Sequence, residues 1–93
     1  MTEEEKRHFG NLIEDLYVLV KAIINESSME DKEDVAKRII KDFYTKHKED
    51  YNIENIEQVI EGIKTVDENM KKVNNSGINN IKSLEEGLEE KWI

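Results

Sequence analysis

The chain contains no cysteine and no proline. The first absence removes disulfides, thiolate nucleophiles, cysteine-based zinc sites and iron–sulfur clusters together. The second, with only four glycines, removes the turn punctuation that strand-rich folds rely on. Those glycines, Gly10, Gly62, Gly77 and Gly87, are isolated, so no glycine-rich loop is available to cradle a phosphate. Long apolar runs are also missing. The longest, Leu16 to Val20, falls far short of the roughly 20 residues that a membrane span requires. The opening MTEEEKRHFG lacks a basic stretch followed by an apolar one, so a cytoplasmic protein without a signal peptide and without membrane contact is expected. Without a secretory route, Asn25-Glu26-Ser27 and Asn74-Asn75-Ser76 carry no meaning as glycosylation acceptors.

Positive charge is the minority sign. Acids number 22 against 14 basic residues, for a net charge of −8. Lys37-Arg38, Lys46 to Lys48 and Lys71-Lys72 are each interrupted by nearby acids, so no basic patch is segregated for a phosphate backbone. Direct nucleic-acid binding is therefore disfavoured. The same acidity suits a protein partner with a basic surface, or occupation of a DNA- or RNA-binding protein as an acidic mimic.

What is present is helical. Glu, Lys and Ile dominate, and the apolar residues recur at helical spacing, so residues 1–93 are expected to form a single all-α domain. Thr2-Glu3-Glu4-Glu5 spells a capping box with acids at the positive end of a helix dipole, opening a first helix from about Glu3 to Asn25. On a helical wheel, its apolar residues from Phe9 to Ile24 cover an arc of about 160°, wider than one neighbour needs. Val18 lies alone on the far side, as a tolerated exposed valine or as a partner contact.

Ser28 and Asp31 are N-cap candidates for a second helix reaching about Lys48, with Val35, Ala36, Ile39, Ile40 and Phe43 inward and Tyr44 and His47 at the margins. Asn52 is the cap candidate for a third, with Tyr51 stapling onto Ile56. There, Ile56, Val59, Ile63, Val66, Met70 and Val73 alternate at spacings of three and four, a heptad seam that suits shallow packing or homodimerisation. Glu54, Glu57, Glu61 and Glu68 lie mostly opposite that seam. Asn74-Asn75-Ser76-Gly77 reads as a turn with Gly77 ending the helix, followed by a fourth helix from about Ile78 to Lys91 with Ile81, Leu84, Leu88 and Trp92 inward. The expected architecture is a small antiparallel bundle of four helices; the alternative is three, the last running unbroken through Gly77.

Catalytic constellations are sparse. Glu5-Lys6-Arg7-His8 has the Glu-x-x-His spacing of di-iron bundles, but that chemistry needs a second copy and inward glutamates. Acid pairs such as Glu85-Glu86 and Glu89-Glu90 lack the order of a calcium loop, and read as solvated helix faces. His47, near a helix C-terminus, reads as favoured by the dipole before it reads as a pH-sensitive contact. No metal and no cofactor is expected. The leading expectation is a non-enzymatic protein that binds and modulates another protein, as inhibitor, immunity factor or adaptor; the alternatives are the nucleic-acid mimic and a self-assembling structural protein. Candidate contacts are Val18, Tyr44 and Trp92, with Glu54, Glu57, Glu61 and Glu68 as an acidic line.

Overall fold

A computed structural model describes residues 2–91, and the side chains of residues 2–88. The protein is a bundle of four helices: α1 (Glu3–Glu26), α2 (Lys32–His47), α3 (Glu57–Asn74) and α4 (Ile81–Lys91). Trp92 lies outside the described residues. α1 packs against both α2 and α3, and α4 lies along α2. The Cα envelope measures 38 × 33 × 17 Å, and its short axis fits two layers of helices about 8–10 Å apart. Among the described residues, no helix is long and apolar enough to cross a membrane.

α1 begins as its sequence specifies. The Glu5 N–H donates to Thr2 Oγ1 at 3.1 Å, and the Thr2 N–H donates back to Glu5 Oε1 at 3.4 Å. This closes the capping box, satisfying two backbone donors and tying up the Glu5 carboxylate. Asp31 does precede α2, but its side chain makes no capping bond. Instead, Glu33 and Asp34 place charge in the first turn, where the helix dipole favours it.

The connections depart from expectation at three points. Asn52 caps no helix: it adopts a left-handed turn with φ 56°, and α3 begins later, at Glu57. The intervening Ile53 and Ile56 are buried, so this stretch crosses the bundle end with its apolar side chains inward instead of coiling. Tyr51 meanwhile sets its ring against Phe9 at 5.6 Å and against His47 at 6.0 Å.

α3 does stop at the Asn-Asn-Ser-Gly stretch, which removes the three-helix alternative. The left-handed terminal residue is Asn75 (φ 52°) and not Gly77; the Asn75 N–H reaches the Lys71 carbonyl at 3.1 Å and the Ser76 N–H the Met70 carbonyl at 3.5 Å. Asparagine tolerates this conformation well enough to do what glycine usually does. A third left-handed asparagine, Asn80 (φ 57°), delays α4 to Ile81.

The core joins Ile13, Tyr17, Val20 and Ile24 of α1 to Ala36 and Ile40 of α2, to Val59 and Ile63 of α3, and to Leu84 and Leu88 of α4. At Gly62 the α3 backbone lies against the Ile13 side chain of α1, where an added Cβ would sit 3.2 Å away. The heptad seam of α3 is only partly used. Its buried row runs Val59, Ile63, Asp67 in steps of four, which drifts around the helix away from a seven-residue repeat. Val66 and Met70 are thereby left half-buried at the side, and Val73 is 79% exposed.

Candidate functional site

Three features stand out once the helices are placed. The first is a charge in the interior. Asp67 is only 2% exposed, on a helix face where periodicity calls for an apolar residue. Its Oδ1 accepts the Tyr17 hydroxyl at 2.7 Å and the Ile78 N–H at 2.8 Å, while Oδ2 pairs with Lys71 Nζ at 2.9 Å. Burial disfavours the carboxylate, but the Ile78 amide, the Lys71 ammonium and the Tyr17 hydroxyl outweigh it, holding the carboxyl below its ordinary value. Burial, reinforced by the Asp67 charge, pushes the Tyr17 phenol well above its usual range.

This cluster pins the turn between α3 and α4 to α1. The Asn25 Nδ2 donates to the Gly77 carbonyl at 2.8 Å, its Oδ1 accepts the Asn79 N–H at 2.8 Å, and Lys21 Nζ reaches Ser76 Oγ at 2.5 Å. Gly77 is needed for space, since a Cβ there would sit 2.7 Å from Asp67 Oδ1. Every member of the cluster is thus engaged in holding the fold.

The second feature is an open apolar groove of about 310 Å³ between α1 and α2. Leu12, Leu16, Ile39 and Phe43 form its walls, with Leu19, 48% exposed, at its edge. Asp15, Asp42, Lys46 and the His47 ring also line it. The His47 ring packs on Phe43 at 4.7 Å.

The third lies on the opposite flank of the α1 apolar arc, between α1 and α3. Two adjoining hollows of about 280 and 250 Å³ share Tyr17, Val18 and Met70. Val18, 64% exposed, rises from the floor, and Val66 completes the α3 wall. Glu14 lines one hollow and Glu26 the other.

The remaining sequence candidates are scattered. Tyr44 is half-buried on α2, with Lys48 Nζ 5.8 Å from its ring centre. Glu54 is exposed in the loop before α3, and its N–H donates to Gln58 Oε1 at 2.7 Å. Glu57, Glu61 and Glu68 are exposed on α3 within an arc of about 40°. Lys64 lies about 20° beside that arc, between Glu61 and Glu68 along the helix, and lowers its negative charge. The structure therefore gathers Val18 with Met70 and Val66, and leaves Tyr44 and the acidic line apart. Sequence reasoning missed Asp67, whose only signal is an acid interrupting the Val59, Ile63 row at the next step of four.

Among the described residues, no cluster of three or more His, Cys, Asp or Glu side chains is arranged to hold a metal ion. The Glu5 and His8 pair lies in the first two turns of α1, with Glu5 inside the capping box and His8 exposed. No family model, curated protein or solved structure matches the chain.

Proposed function

We propose that the protein is a non-enzymatic binding module that docks on another protein through α1 and modulates it. The observation that carries this reading is that α1 presents apolar side chains on both sides of its buried arc: Val18 and Leu19, adjacent in sequence, each open onto a groove. Exposed apolar side chains are ordinary when scattered, but exposed ones seated at grooves between helices mark surfaces that gain from being covered. The non-enzymatic part of the reading rests on the buried ionisable groups. Asp67 and Tyr17 are buried and bonded to one another and to their neighbours, so the most perturbed side chains are committed to holding the fold.

Nucleic-acid mimicry ranks second, because Lys64 sits within the acidic line on α3. Self-assembly ranks below that. Two copies at −8 repel each other, and the seam expected to mediate pairing is partly buried inside the bundle.

Site-specific photo-crosslinking in the native host tests the reading. A photoreactive residue at position 18 or 19 is expected to trap a discrete second protein, whereas one at exposed Glu57 or Lys72 is not. Equal yields at all four positions, or products that are only dimers of this chain, would overturn it.

A further inference from the structure

We infer that α4 is a hinged flap that leaves the bundle as a unit, turning at Asn80, while the turn before it stays fixed to α1. The chain is fastened as far as Asn79, and the helix beyond has little local support of its own.

The fastening is polar and lies before the helix. Ser76 is bonded to Lys21, Gly77 and Asn79 to Asn25, and Ile78 to Asp67. No residue of α4 takes part in these bonds, so they survive its departure. Asn80 follows at φ 57°, a conformation that a residue other than glycine adopts at a cost. Once α4 leaves, Asn80 can return to an ordinary region of backbone space, which makes it the natural hinge.

α4 is the shortest of the four helices, at 11 residues, below the length at which a helix holds its shape alone in water. Gly87 in its middle weakens it further. Its first turn also has the wrong charge. α1, α2 and α3 each open with acids that the helix dipole favours, whereas α4 has none there and carries Lys82 instead. Docking through the buried Leu84 and Leu88 is what keeps α4 helical, so undocking and unwinding go together.

The flap closes on α2. The Lys37 side chain lies over Gly87, where an added Cβ would sit 2.6 Å from Lys37 Nζ. Lys37, Ile40 and Tyr44 follow on α2 at spacings of three and four, so they share one face, and Ile40 is wholly buried. Opening uncovers Ile40 with Lys37 and Tyr44 beside it. The flap thus governs access to a surface of α2 that the closed bundle withholds.

Native-state hydrogen exchange on the intact chain, followed by NMR at low urea concentrations, tests this. The amides of Glu85 to Leu88 are expected to share one opening, about tenfold or more as frequent as that of Val20 and Ile63, with a smaller but measurable urea slope because less surface is exposed. Ile78 is expected to exchange with Val20 and Ile63. Asp67→Asn weakens the fastening but not the docking, so it is expected to reduce protection at Ile78, Val20 and Ile63 by more than at Glu85 to Leu88. Protection at Glu85 to Leu88 equal to that at Val20 overturns the proposal, as does protection that fades residue by residue without a urea slope, which is fraying. So does exchange of Ile78 together with α4, or a loss in Asp67→Asn that is as large at Glu85 to Leu88 as elsewhere.

Discussion

Replacing Asp67 probes the feature that holds the second half of the protein in place. Asp67→Ala removes the acceptor of two fully buried donors, the Tyr17 hydroxyl and the Ile78 N–H, and of one half-exposed donor, Lys71. Each buried donor left unsatisfied costs about 1–3 kcal/mol, while Lys71 turns to water at little cost. The total is about 2–6 kcal/mol, a range that spans the cost of breaking other buried charge clusters. A chain of this length has about 5–14 kcal/mol of stability in all, so the substitution removes a large share of it. Asp67→Asn keeps an acceptor for Tyr17 and Ile78 but loses the charge, so it is expected to cost less, about 1–2 kcal/mol. Urea unfolding followed by circular dichroism measures both. The effect also has a pH signature. The folded carboxyl lies below its ordinary value of 3.8, so its contribution is complete above that pH, fades as the unfolded chain begins to take up a proton, and is gone below the folded value. The gap between the parent and Asp67→Asn is therefore expected to narrow as pH falls below about 4. A cost under about 1 kcal/mol for Asp67→Ala, or a gap that stays constant into acid, would refute the account.

Three further outcomes follow from the fold. Gly10→Ala places a Cβ in open space on an exposed helical turn, so it is expected to stabilise by about 0.5–1 kcal/mol, visible as a rise of a few degrees in Tm. Asn75→Ala forces alanine into a left-handed position and is expected to cost about 1 kcal/mol, while Asn75→Gly is neutral or stabilising; urea midpoints for the pair separate a conformational role from any side-chain contact. Leu88→Ala opens a cavity where α4 meets α2, with an expected loss of about 3–4 kcal/mol by urea unfolding. A much smaller loss would mean that α4 is loosely docked.

Much of the candidate surface was legible in outline. Val18 stood apart from the apolar arc of α1 on periodicity alone, and it is indeed exposed. Its neighbours across the groove were not legible, because Val66, Met70 and Val73 read as members of a buried seam. Which of two overlapping apolar rows on a helix is buried depends on its crossing angle with a neighbour, and that angle is a property of the pair.

By itself the sequence determined that this is an all-α protein and that its first helix starts at a capping box, and it favoured, without deciding, a break between the third and fourth helices. Each of these follows from local chemistry: helical spacing of apolar residues, a threonine three residues before a glutamate, and two asparagines in succession that can leave the right-handed region. Only the tertiary structure decided that Asp67 is a buried anchor, that Ile53 enters the core from outside any helix, and that the turn between α3 and α4 is tied to α1. Those outcomes depend on groups far apart in the chain, Tyr17 with Asp67 and Lys21 with Ser76, whose meeting is set by packing and not by any pattern within one segment.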